Sequence, residues 1–246
     1  MPPSAPASEQ LPTRAAAVWA ALDPLVGAGS ALRVLDVGGG SGVFAVPLAR
    51  LGHEVTVVDP SADALATLAR RAGTAGVGER VHGVQGDGDL LHEVVPDAGG
   101  FDLALCHSVL EVVDDPATTL GEIARSLTAG GTASVAVANR AGAVLARAVG
   151  GHPTDALALF EGPGPGGARS RRRFTPADLL DLVTGAGLTA GSWRGISVVA
   201  DLLDVVGADA AADADPAAVR RLELALAGTS PYRDVAGGLH VLATRP

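Results

Sequence analysis

Within residues 34–44, VLDVGGGSGVF, an apolar run leads into Gly38, Gly39, Gly40 and Gly42 and then into a segment of helical composition. Glycines at such a turn let the backbone approach a ligand that a side chain would block, and a helix start beyond them offers unpaired amide donors. The spacing is GxGxG over positions 38, 40 and 42 with Val43 next, so the GxGxxG of dinucleotide enzymes is not met. Asp59 closes the next apolar run, 17 residues beyond Gly42, with a carboxylate able to accept both hydroxyls of a ribose. Asp36, two residues before the glycines, can hold the loop or bind an amino group, and Gly86-Asp87-Gly88-Asp89 ends a third run. Each carboxylate alone would pass for an ordinary helix cap. In this order they read as one ligand-binding edge of a sheet.

His107 ends a fourth run at the same edge, as a general base or as a ligand contact or core residue. Cys106 beside it is expected to be a buried strand residue rather than a nucleophile. Glu111, one turn later, lines the pocket or faces solvent. Asn139, which closes the fifth run, is a substrate-side candidate, as are Tyr232 and His240. The fourth and fifth strand ends do not offer convergent carboxylates, so no metal is required.

These residues need a scaffold, and the sequence spells one out. A helix over about 13–26 precedes short Val- and Leu-rich runs at 31–37, 53–59, 80–86, 101–107 and 132–139, with helical stretches at 43–52, 61–73 and 114–131 between them. That alternation predicts an α/β fold with a parallel sheet covered by helices on both faces. After Asn139 the regularity breaks. A helical piece at 141–151 leads into a Gly- and Pro-rich stretch, 162–173, and then come a helix at 175–187, a strand at 188–194, helices near 199–206 and 217–227, and a strand at 239–245. Residues 1–12 read as a disordered tail, and 13–246 as one domain in which 140–174 is a substrate-side insertion.

Composition bounds the function classes. The chain has 246 residues and a net charge of -9, and all 18 of its basic residues are Arg. The acidic balance argues against coating nucleic acid non-specifically, since that affinity comes from neutralised phosphates. Four Arg nevertheless fall within 169–173, so Arg171, Arg172 and Arg173 are candidates for an anionic substrate or for tRNA phosphates. A lone Cys, no signal-peptide core at the start and no long apolar run lead to the expectation of a cytoplasmic protein with no membrane partner.

Through VLDVGGGSG, Asp59 and the GDGD loop, residues 31–139 resemble the class I S-adenosylmethionine-dependent methyltransferases. That resemblance implies a Rossmann-like sheet of seven strands with the last antiparallel, and S-adenosyl-L-methionine as cofactor. Its ribose would sit on Asp59 and its methionine part over Gly38, Gly39, Gly40 and Gly42, beside Asp36. Over nearly the whole chain the sequence is also similar to the tRNA wobble-uridine carboxyl methyltransferases, through RAAAVWAALD, LCHSVLEVVDDP, ANRAG and PYRDVAGGLHVLATRP. This second resemblance implies cofactor contacts from Arg14, Gly38, Gly39, Asp59, the Asp87-Gly88 pair beside the adenine, and His107. It departs from that family at Ser197 and Ala200, where an Arg and a His are expected; an Arg for the substrate carboxylate would then be Arg194 or Arg140. Three readings follow: methylation of a carboxylate on tRNA, O- or carboxyl-methylation of a small molecule, and a methyltransferase-like protein that binds without catalysis.

Overall fold

The computed structural model describes residues 15–27, 29–95, 100–162, 172–206 and 215–246. The expected tail at 1–12, Arg14, Arg171 and most of the Gly- and Pro-rich stretch lie outside those residues. The chain divides into two compact units: residues 23–136, 180–192 and 241–246 form the first, and residues up to 22, 137–179 and 193–240 the second.

The first unit is built on a sheet. Its strands are β1 (Arg33–Val37), β2 (Glu54–Asp59), β3 (Val81–Gln85), β4 (Phe101–His107), β5 (Leu127–Ala138, as far as Ala136), β6 (Thr189–Ala190) and the end of a C-terminal strand, Gly238–Thr244. The order is β3-β2-β1-β4-β5, then the C-terminal strand, then β6. Strands β1 to β5 pair in parallel, and β6 pairs antiparallel with the C-terminal strand. Central β1 is buried from its second residue onward and β4 over most of its length, as their near-continuous apolar runs require, while no residue of edge strand β3 is fully buried. The covering helices are α2 (Ala45–Arg50), α3 (Ala62–Thr74), α4 (Leu91–Val94) and α5 (Pro116–Ser126), with the end of α1 (Ala16–Val26). Ser61 caps α3, its hydroxyl accepting the Ala64 N–H at 3.2 Å; Asp115 caps α5 ahead of Pro116. Buried His53 ties the start of β1 to the end of α1: its Nδ1 accepts the Leu32 N–H at 3.1 Å and its Nε2 lies 3.0 Å from the Val26 carbonyl.

The pairing register decides where the site can be. Val37 pairs with Val58 and Cys106, and Asp59 with Gln85, so β1, β2, β3 and β4 all stop at one level. The segments that follow them, 38–42, 59–61, 86–89 and 107–111, therefore lie along a single edge.

The second unit carries α6 (Arg140–Val149), α7 (Pro153–Glu161), α8 (Pro176–Gly185, up to Leu179), β7 (Arg194–Ile196), α9 (Ala200–Val206), α10 (Pro216–Leu226) and the start of β8, the C-terminal strand Gly238–Thr244, which pairs antiparallel with β7. A capping box opens α8. The Thr175 N–H donates to Asp178 Oδ2 at 2.8 Å and the Asp178 N–H to Thr175 Oγ1 at 3.2 Å, and the first of these bonds holds the Asp178 carboxyl below its ordinary range. The N-terminus of α9 is capped from a distance: buried Glu223 on α10 accepts N–H bonds from Val198, Val199 and Ala200 at 2.7–2.9 Å.

The α/β sheet is as the residue pattern predicts and its antiparallel last strand as the family resemblance implies, with two differences. The strand expected at 188–194 is two short pieces, β6 and β7, because the chain breaks at Gly191, whose N–H donates to the Leu242 carbonyl at 2.8 Å. Helix α7 falls between the predicted pieces; its Leu157 and Phe160 are exposed, so it shows no inward apolar stripe to read.

Candidate active site

The glycine loop packs closely at Gly38 and Gly42, against Val109 and Leu68, and leaves open space at Gly40. Gly38, Gly40 and Gly42 all have positive φ, which L side chains resist. At Gly40 a Cβ would approach only Asp59 Oδ2, at 3.7 Å, and the Gly38 carbonyl, at 3.9 Å, so the loop leaves room there for a ligand to lie against the main chain. Gly39 is needed for a different reason: a Cβ there would come within 2.4 Å of Asp36 Oδ2.

Asp59 braces this loop. Its Oδ2 accepts the Gly40 N–H at 3.0 Å and its Oδ1 accepts the Ser61 N–H at 2.8 Å. A carboxylate has roughly four acceptor positions, so each oxygen keeps one for a ribose hydroxyl. Asp36 is 3% exposed and its Oδ2 has no hydrogen-bond partner among the described residues. Burial, and then the charge of Asp59, push its carboxyl up to about 7. An orphaned buried oxygen of this kind suits a cationic donor such as an α-amino group. Asp87 and Gly88 follow β3 on the same edge, with Asp87 exposed.

His107 ends β4. Its Nε2 lies 2.9 Å from Ser134 Oγ, and Phe44, just past the glycine loop, meets its ring edge-on at 4.6 Å between centroids. Burial lowers its pKa to about 4, so the ring is neutral at pH 7. Ser108, the next residue, has φ +59°, an uncommon conformation for a non-glycine residue, and its N–H donates to the Ala136 carbonyl at 2.9 Å. Cys106 is fully buried, and burial with the nearby Glu111 and Asp36 charges raises its thiol far above physiological pH, which makes it inert. Glu111 is 7% exposed and belongs to the buried surroundings of this edge, not to the solvent face.

The first unit thus brings Asp36, Gly38, Gly39, Gly40, Gly42, Asp59, Asp87, Gly88 and His107 to one edge. Ser134 and Phe44, which set the His107 ring, carry no signal in the sequence. Ser134 pairs with Leu105 on β4 and so lies diagonally from His107, a neighbour fixed only by strand register.

The remaining candidates belong to the second unit. Asn139 is fully buried and its side chain is engaged: Nδ2 donates to the Asp234 and Ala236 carbonyls at 3.0 and 2.8 Å, and Oδ1 accepts the Ala141 N–H at 3.1 Å as the cap of α6. These bonds make it a staple of that unit. His240 is 1% exposed on β8, opposite Arg194, whereas Tyr232 is 49% exposed. Arg172 is exposed, and Arg173 donates to the Arg172 carbonyl at 3.1 Å. Among the described residues no group of three or more His, Cys, Asp or Glu side chains could hold a metal ion, and no helix is long and apolar enough to cross a membrane.

Comparison with known proteins agrees with this geometry. Residues 35–135 match the methyltransferase domain family. A ubiquinone biosynthesis O-methyltransferase of Xanthomonas axonopodis pv. citri is 35% identical over 189 residues, which cover 76% of this chain and 72% of that protein. Among solved structures, an S-adenosylmethionine-dependent methyltransferase from Mesorhizobium loti superposes with a TM-score of 0.64 at 22% identity, covering 95% of this chain and all of that one. Geranyl diphosphate C-methyltransferase from Streptomyces coelicolor, in complex with S-adenosyl-L-homocysteine, gives 0.58 at 17% identity over 92% of this chain and 77% of that one. The open Gly40 backbone, the spare acceptor positions of Asp59 and the orphaned Asp36 oxygen fit a cofactor of this kind. With that fit, and with 35% identity across nearly three quarters of a curated relative, the chain belongs to the class I S-adenosylmethionine-dependent methyltransferases.

Proposed function

We propose that this chain methylates a hydroxyl oxygen of an uncharged small molecule. The observation that carries the reading is the charge of the site edge. Asp36, Asp59 and Glu111 are buried there, Asp87 is exposed beside them, and His107 is neutral. The Arg71 guanidinium is engaged in holding Ser41 of the glycine loop, at 2.9 Å to its carbonyl and 3.1 Å to its hydroxyl. An acidic edge suits a sulfonium cofactor and a neutral acceptor; a carboxylate or phosphate would be repelled. The O-methyltransferase name of the relative above supports the same acceptor atom.

When bound, the cofactor supplies an electrophilic methyl group and a neutral thioether leaving group. This chain's own work is alignment and proton handling. Asp59 orients the ribose while holding Gly40, Asp36 answers the amino group, and the Asp87-Gly88 turn flanks the base. The acceptor hydroxyl gives its proton to His107 as the O–C bond forms. A ring held near 4 is a weak base, so the acceptor it serves best is an acidic hydroxyl such as a phenol.

Methyl transfer from labelled cofactor to three pools tests this: phenols, small carboxylates and bulk tRNA. Alkali-stable label on a phenol is the expected result. Methylation of a carboxylate on a tRNA wobble uridine is the second reading, supported by exposed Arg172 with its neighbour Arg173 and by the sequence resemblance of both chain ends. It predicts alkali-labile label on tRNA, with a salt dependence that weakens in an Arg172→Ala, Arg173→Ala variant. Cofactor binding without transfer to any pool would leave the non-catalytic reading.

A further inference from the structure

The 3₁₀ turn Gly88–Leu90 that follows β3 is held from behind by one face of α5. Thr119 is fully buried, and its hydroxyl donates to the Asp89 carboxylate. One helical step on, Glu122 is 5% exposed; its Oε2 accepts the His92 backbone N–H at 3.1 Å and faces His92 Nδ1 at 2.9 Å, and its Oε1 is bound by Arg125. Positions 119 and 122 share a helix face, so one anchor holds the middle of the turn at Asp89 and the other the start of α4 just behind it at His92. Gly88, just before them, has no slack: a Cβ there would lie 3.0 Å from Val37 Cγ1 and 3.1 Å from Thr119 Cγ2. The turn presents to solvent Asp87 and the apolar side chain of Leu90, which is 42% exposed. Two buried polar anchors on a short surface turn fix its geometry far more tightly than chain connectivity requires.

We propose that Thr119 and Glu122 are positioning residues that set the Asp87–Leu90 turn for recognition of the purine ring, which rests on the placement of the base beside Asp87 and Gly88. Both side chains are buried behind the turn and act through it. Through Asp89 and His92 they fix the height and tilt of a turn whose exposed edge reads the 6-amino group and whose Leu90 covers a ring face.

Calorimetry with S-adenosylhomocysteine and its 6-oxo analogue, S-inosylhomocysteine, tests the proposal without turnover. The wild-type protein is expected to prefer the 6-amino compound. In Thr119→Val its affinity should fall about tenfold, or about 1.4 kcal/mol, while the analogue's affinity stays unchanged, so that the preference is lost. Thr119→Ser should restore the preference, and Glu122→Gln should speed amide exchange in residues 88–92. A Thr119→Val variant that weakens both ligands equally, or neither, overturns the positioning role. A wild-type protein indifferent to the two bases, with an affinity untouched by Asp59→Ala, would instead overturn the site assignment itself.

Discussion

Asp36 ought to make the stability of this protein fall as pH rises, and Asp36→Asn isolates that effect. Its carboxyl ionises near 3.8 in an unfolded chain but at about 7 in the fold, where burial and the Asp59 charge oppose ionisation. Below 3.8 both states hold the proton and Asp36 adds no pH dependence. Between 3.8 and about 7 the folded state binds more protons than the unfolded one, so stability declines with pH; above about 7 the loss is complete. At roughly 1.4 kcal/mol per pH unit, the full effect is on the order of 4 kcal/mol, and the part between about pH 5 and about pH 8 is about 2.5 kcal/mol. Urea unfolding of both proteins at those two pH values measures it, because the pH-independent cost of the amide cancels in the difference. The wild type should lose about 2.5 kcal/mol relative to the variant on going from the acid to the alkaline condition. Calorimetry adds a second signature: a cationic cofactor beside Asp36 should expel about half a proton near pH 7, and Asp36→Asn should abolish that release. Stability differences that match at the two pH values, or binding with no proton release, would refute the assignment of Asp36 as a buried, half-protonated acid.

Asp59→Ala should lower cofactor affinity by about a hundredfold or more, since hydrogen bonds to a charged group contribute roughly 1.5–3 kcal/mol each and the Gly40 brace goes as well; calorimetry with S-adenosylhomocysteine reads this directly. His107→Gln should cut kcat on a phenolic acceptor by about 10²-fold or more, and an unchanged kcat would remove the proton-acceptor role. Glu223→Gln should destabilise the protein by about 1–3 kcal/mol, seen in urea midpoints, because an amide caps the N-terminus of α9 less well than a carboxylate. Asn139→Ala should cost a comparable amount, as its buried carbonyl and amide partners lose their bonds.

Much of the site was legible because it is local. The run from β1 through Gly38–Gly42 and on to Asp59 is read from glycine spacing and from where each apolar run stops, and the shared strand ends follow from parallel pairing. What the sequence could not show depends on residues brought together from afar. The partnership of His107 with Ser134 needs the β4–β5 register, Thr119 and Glu122 are ordinary helix residues until α5 packs against the turn after β3, and Glu223 finds its three N–H donors more than twenty positions upstream. Asn139 misled for the opposite reason. A polar residue at a strand end looks available for substrate, yet its side chain is consumed by the carbonyls of residues almost a hundred positions away.

Because Asp59 carries the Gly40 amide, the ribose contact proposed for it and the brace of the glycine loop rest on one side chain. On that proposal, an engineer who changes residue 59 to admit a synthetic methyl donor with an altered ribose also removes the hydrogen bond that holds Gly40. Alterations to the base are the accessible route. They meet a turn of a few residues whose supports lie on a separate helix, where each contact can be changed without disturbing the glycines.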